Sequence, residues 1–187
     1  MSNLTNRAIK ETFEKMLEEH PLNQITVKDL VKECGINRNS FYYHFQDIPT
    51  LLEEIIKDHV DRCIERFPRI DSIEEILEVS LTFIYERKKM VLHIFNSGSR
   101  DIIEKSLMEM CEYAVANYFN ASISDRPVKK EAKEILVQLV KCLCFGEMMD
   151  WLLGGMEDDL REPFRQLCEL NKGHIEEVIL KSLEEPS

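Results

Sequence analysis

Residues 26–45 read TVKDLVKECGINRNSFYYHF, and the first half carries apolar residues at Val27, Leu30, Val31 and Cys34. That is the i, i+3, i+4, i+7 spacing of one helical face. Thr26 precedes it and can cap the free amides of the first turn. Gly35 follows Cys34 where a left-handed backbone is cheapest, so the helix should stop there. Ile36 is the apolar plug of the turn, and Asn37 can cap a second helix. In that helix Phe41 and Phe45 lie four residues apart on one side. Arg38, Asn39, Ser40, Tyr42, Tyr43 and His44 occupy the other sides with nothing apolar to bury.

Two short helices joined by a glycine-containing turn form a helix-turn-helix, whose second helix enters the DNA major groove while the first crosses the backbone. The outward residues suit that task. Arg38 can pair with a guanine edge and Asn39 with an adenine edge, and the hydroxyls of Ser40, Tyr42 and Tyr43 can hold phosphates. Taken singly, Arg38 is equally a solvated surface charge, and one of the two tyrosines is equally a packing aromatic. Their grouping on one short helix behind a glycine turn favours nucleic acid.

The stretch ITVKDLVKECGINRNSFYYHFQDIPTLL resembles the DNA-binding segment of the tetracycline-repressor (TetR) family of bacterial transcription regulators. The features that carry the likeness are Thr26, the Val27/Leu30/Val31 face, Gly35, Ile36, the FYYHF run and the Leu51/Leu52 pair. The likeness is specific over residues 8–56 and architectural beyond. It implies an all-α fold of about nine helices. A three-helix DNA-binding bundle over 1–47, with its helix-turn-helix at 26–45, is followed by a connecting helix over 48–67. A helical dimerisation and ligand-binding domain then occupies 68–187. Thr26 and Lys28 stand where relatives contact the backbone and groove, and Asn37 joins Arg38, Asn39, Ser40, Tyr42, Tyr43 and His44 in the expected DNA-contacting set. Ile48 stands where the family usually has a phosphate-holding lysine, which puts that contact in doubt.

The chain carries 24 Lys and Arg against 35 Asp and Glu, a net −11, which is not what a DNA binder shows on charge alone. Residues 1–47 hold six basic and seven acidic side chains, −1, so −10 of the total lies beyond them. The acidic surplus sits away from the proposed reading head, and modest non-specific affinity is expected.

Upstream, Ile9, Phe13, Met16 and Leu17 form the stripe of a first helix that Pro21 ends. Downstream, Asp47 can cap a helix whose first-turn amides would be open to an anion. Leu51, Leu52, Ile55, Ile56, Val60 and Ile64 run along it until Pro68. Ser72 with Glu75 reads as a capping box for the next helix, which the Arg87–Lys89 run should close. Met90–Phe95 is a short apolar piece, and Ser99 or Asp101 starts another helix. After Pro127 the penultimate helix, through Ile135, Leu139, Leu143 and Met149, is apolar almost all round and stops at Gly154 and Gly155. The last helix should start near Pro163. These two final helices hold more apolar surface than one chain can hide. The family's answer is a four-helix bundle between two copies, a homodimer whose two heads read a near-palindromic double-stranded operator. The expected function is a ligand-responsive repressor, and family members generally keep a ligand pocket in this body; Met90, His93, Phe95, Tyr113, Met148 and Trp151 are the candidate effector-lining residues, with ordinary core packing as the alternative. Some relatives with a similar recognition helix work with a protein co-regulator instead, and an interaction module that lost DNA binding is a further alternative.

Nothing points to an enzyme or a cofactor. No nucleophile elbow, phosphate-cradling glycine loop or HExxH occurs. His59 and Cys63 are four apart but lack the second pair a metal needs. The six cysteines show no two-residue spacing and read as reduced core thiols of a cytoplasmic protein. No run of eighteen apolar residues suggests a membrane.

Overall fold

A computed structural model describes residues 2–65, 73–122, 129–166 and 169 of the chain. Every regular element among the described residues is helical: α1 (Ser2–Glu19), a single 3-10 turn (Leu22–Gln24), α2 (Val27–Glu33), α3 (Arg38–His44), α4 (Ile48–Glu65), α5 (Ile73–Tyr85), α6 (Lys88–Phe95), α7 (Arg100–Ser122) and α8 (Lys130–Leu153). The expected capping residue Ser72, together with Pro68 and Pro127, lies outside the described residues, as does most of the expected last helix. Residues 161–166 of that helix are helical, and Phe164 is buried.

The chain divides into two compact units. One holds the residues up to Arg62 together with Glu86–Ser106; the other holds the described residues of Cys63–Tyr85 and those from Leu107 onward. The units do not follow a linear division at residues 48 and 68, because α6 and the start of α7 join the N-terminal helices.

In the first unit the stripe on α1 is buried at Ile9, Phe13 and Leu17. Leu30 and Val31 of α2, Phe41 and Phe45 at α3, and Leu51, Leu52 and Ile55 of α4 are buried as well, and α1 packs against both α2 and α3. Each of these positions follows the period of its own helix, so the amphipathic faces close on one core. Polar pairs add a second layer between α1 and α4. Lys10 Nζ reaches Glu54 at 2.8 Å and Asp58 at 2.7 Å, and Glu14 meets His59 Nε2 at 2.5 Å. Arg62 Nη2 lies 3.1 Å from His59 Nδ1. Burial pushes the Glu14 carboxyl up. The His59 bond and the charges of His59, Arg62 and Arg87 outweigh it and hold the group below its usual range. On its other side α1 packs against α6, where Met90, Val91, Ile94 and Phe95 are buried.

The basic run behaves differently from its expected role. Helix α5 ends at Tyr85, Arg87 is the residue before α6, and Lys88 and Lys89 stand in the first turn of α6. The apolar need of Met90–Phe95 decides the boundary here, and charge near a helix end is worth too little to move it.

In the second unit, α7 buries Leu107, Met110, Cys111, Val115 and Phe119, and α8 buries Cys144, Met148, Trp151 and Leu152. The Cys111 thiol lies 3.9 Å from the Met148 sulfur, and burial pushes it up to about 12. Trp151 stacks on Tyr85 at 6.3 Å and donates its indole N–H to the Asp158 carbonyl at 2.7 Å. Two cysteines depart from the core reading: Cys142 is exposed and Cys34 half-buried. Cys168 lies outside the described residues.

Candidate nucleic-acid interface

Local chemistry builds the α2–α3 pair. The Asp29 amide donates to Thr26 Oγ1 at 3.2 Å, and the Thr26 hydroxyl donates to Asp29 Oδ2 at 2.5 Å, a closed cap at the start of α2. Gly35 takes φ +68°, the left-handed conformation that ends a helix cheaply only at glycine. Its amide donates to Lys32 and that of Ile36 donates to Val31, at 3.2 and 3.0 Å, satisfying carbonyls left over by α2. Asn37 Oδ1 then accepts from the Ser40 amide at 2.9 Å and the Ser40 hydroxyl at 3.2 Å, opening α3.

Phe41 and Phe45 are buried and 5.9 Å apart, which fixes the rotation of α3 about its axis. The opposite side is therefore outward. Arg38 and Asn39 are exposed, and Tyr42 and Tyr43 keep 56% and 77% of their surface open. Such exposure is unusual for tyrosine and leaves both rings and hydroxyls available to a partner. His44 is half-buried with its ring edge-on to Tyr43 at 5.0 Å. Lys28 is exposed on α2.

Asn37, Asn39, Ser40, Tyr43 and His44 line one open concavity of about 330 Å³, which Thr5 of α1 completes. Sequence reasoning did not single out Thr5. The signal was present: Thr5 stands four residues before Ile9, so the buried stripe of α1, extended back one turn, ends on a polar residue. The structure thus brings together most of the expected DNA-contacting residues, while Thr26 and Asn37 also act as caps and Ser40 donates to the Asn37 cap.

Neighbouring helix α4 is capped by Asp47 as expected, but it is less open to an anion than expected. Asp47 Oδ1 accepts from the Thr50 amide and hydroxyl, each at 2.8 Å. These bonds hold the Asp47 carboxyl below its usual range. One first-turn amide expected to be open to an anion is thereby taken, and a carboxylate stands beside it. Ile48 is half-buried.

The candidate effector residues divide between the two units. Met90 and Phe95 are buried on α6, with the Arg100 guanidinium 4.2 Å from the centre of the Phe95 ring. His93 Nδ1 is 2.6 Å from the Leu17 carbonyl. In the other unit Met148 and Trp151 are buried, and Tyr113 is 40% exposed. Among the described residues, no group of three or more His, Cys, Asp or Glu is placed to hold a metal. No described helix is long and apolar enough to cross a membrane.

Comparison with known proteins agrees with this geometry. Residues 11–55 match the family described as "Bacterial regulatory proteins, tetR family", and residues 71–173 match one described as "Transcriptional regulator C-terminal region". HTH-type transcriptional regulator SAB2452 of Staphylococcus aureus (strain bovine RF122 / ET3-1) is 28% identical over 101 residues, which is 50% of this chain and 55% of that protein. SAUSA300_2515 of strain USA300 matches over the same shares. The chain thus spans about half the length of the curated relatives it matches. Among solved structures, the dihydroxyacetone kinase operon activator DhaS superposes with a TM-score of 0.74 at 17% identity, covering 96% of this chain and 98% of that one. NalD, secondary repressor of the MexAB-OprM multidrug efflux pump in Pseudomonas aeruginosa, gives 0.54 at 17% identity over 100% of both chains. At that identity the likeness concerns the fold alone.

Proposed function

We propose, because the chain belongs to the TetR family of bacterial regulatory proteins, that it is a homodimeric, effector-responsive repressor whose α3 reads a near-palindromic operator. The DNA-binding portion is residues 1–47, and the remainder connects, dimerises and receives the signal. One observation carries this reading: Arg38, Asn39, Tyr42 and Tyr43 project from α3 on the side opposite two buried phenylalanines. Arg38 and Asn39 then reach base edges, and Tyr42, Tyr43 and Lys28 hold phosphates. Thr26, Asn37, Ser40 and His44 border the same surface.

Selection of bound sequences from random duplex DNA tests it. The wild-type protein should enrich a two-fold-related site. Arg38→Ala should lose about 1–3 kcal/mol on that site and relax one base position in each half. Tyr43→Phe should lower affinity with the selected sequence unchanged. If Arg38→Ala weakens all duplexes equally, Arg38 is a phosphate clamp and the base assignment fails.

A protein co-regulator in place of a small molecule is the second reading. The closed packing of Met90 and Phe95 and the engaged ring of His93 favour it, since these three side chains offer little free surface.

A further inference from the structure

Leu17 occupies an unusual position in α1. A helical carbonyl normally accepts from the amide four residues on. For Leu17 that residue is Pro21, which has no N–H. The amide at position 20 makes its regular bond to the Met16 carbonyl and is not free for Leu17. Leu17 is fully buried, so water does not replace the missing donor. The donor that arrives comes from 76 residues away: His93 Nδ1, at 2.6 Å. A carbonyl only accepts, so Nδ1 carries the proton. The His93 backbone is held by its buried neighbours Ile94 and Phe95 on α6.

We propose that His93 is a positioning residue for DNA reading, a latch through which α6 sets the end of α1. The proposal rests on the regulator reading above, since it concerns how that reading surface is held. Beyond the latched carbonyl the chain enters the 3-10 turn, held by Gln24 N to Pro21 O at 2.9 Å and Ile25 N to Leu22 O at 3.1 Å. The next residue, Thr26, caps α2. Little chain separates the latch from the helix-turn-helix, and a short turn holds what lies between. Proline makes the device: with a donor at position 21, α1 would satisfy its own carbonyl and α6 would have no hold on it. A hydrogen bond is lost once donor and acceptor part by much more than about 3.2 Å, so a small shift of α6 releases the end of α1.

Three substitutions in the full chain test the latch. His93→Asn places a side-chain amide N–H at the same reach as the imidazole Nδ1 and so keeps the donor, whereas His93→Leu removes it. Pro21→Ala returns an amide to position 21 and lets α1 satisfy Leu17 by itself. Melting temperature, affinity for the DNA selected by wild type, and amide exchange at Gln24 and Ile25 are measured for each. His93→Leu should melt earlier, bind about tenfold more weakly and exchange about tenfold faster at both amides. His93→Asn should stay near wild type in all three. In the double variant Pro21→Ala/His93→Leu the melting temperature should recover, while affinity and exchange should not. If the double variant regains everything, His93 merely satisfies a carbonyl and the latch is refuted. Unchanged exchange in His93→Leu refutes it equally. Wild type selecting no sequence sinks the operator reading instead, and the exchange data still decide whether α6 holds the turn.

Discussion

Gly35 is the residue on which the α2–α3 turn depends, and its environment isolates the reason. A Cβ built at Gly35 meets nothing within 4 Å, yet φ is +68°. Gly35→Ala therefore costs only the left-handed backbone, about 1–2 kcal/mol, with no steric displacement. Gly35→Asn should cost less, because asparagine tolerates that region better. Equilibrium denaturation of the two variants checks the order, and a larger loss for asparagine would contradict it. This position was legible in the sequence because its cause is local, and Thr26 and Asn37 were legible for the same reason. Cys34 was not. Its spacing places it on the buried face, but it falls at the C-terminal end of α2, half out of the core, with its thiol 3.8 Å from the Ala8 carbonyl. His93 was illegible for a different reason. Its partner is a backbone carbonyl, and no pattern of side chains announces that a distant proline has left one open.

At the scale of elements, α1 is held to α4 by charge as well as by core. The bonds made by Glu14 place its folded pKa below the unfolded value. A depressed carboxylate contributes stability that is fully present above the unfolded value of about 4.3 and is lost as pH falls through the folded one. Acidification below about pH 4.3 should therefore weaken the first unit. Glu14→Gln should cost about 1–3 kcal/mol at neutral pH and flatten that part of the acid limb. Urea denaturation at several pH values reads both effects, and an equally steep limb in the variant would assign the acid loss to other carboxylates. The helix periods of α1, α4 and α8 were all readable, since each sequence repeats its apolar residues every three or four positions. The boundary between α5 and α6 was not, because a run of three basic residues suits a helix end in isolation but is overruled by the burial of Met90 and Ile94. Nor did sequence reveal that α6 belongs with α1, a tertiary choice between two amphipathic faces.

At the scale of the molecule, α8 poses the remaining question. It buries Cys144, Met148, Trp151 and Leu152 and leaves Ile135, Leu139, Leu143 and Leu153 at 68, 55, 59 and 63% exposed. The exposed Cys142 and Gly146 complete that side. Three of these leucine and isoleucine positions recur every four residues, so they form a stripe of one helix and not scattered surface residues. An apolar stripe of this length on a helix already packed on its other side suits a second copy of the chain. The acidic surplus outside residues 1–47 makes this choice sharper, since like-charged copies need apolar contact to hold together. If the proposed homodimer forms through this stripe, Leu139→Glu combined with Leu143→Glu adds four carboxylates to its two-fold interface and should give a monomer by analytical ultracentrifugation, with its helix content retained. Each head would then bind one half-site alone, and affinity for the full selected site should fall by about 10²–10⁴. Affinity for an isolated half-site should hold, because α3 and its phenylalanine anchors are untouched. A double variant that still sediments as a dimer would place the contact on another face, and one that is monomeric yet binds the full site unchanged would mean that a single head suffices.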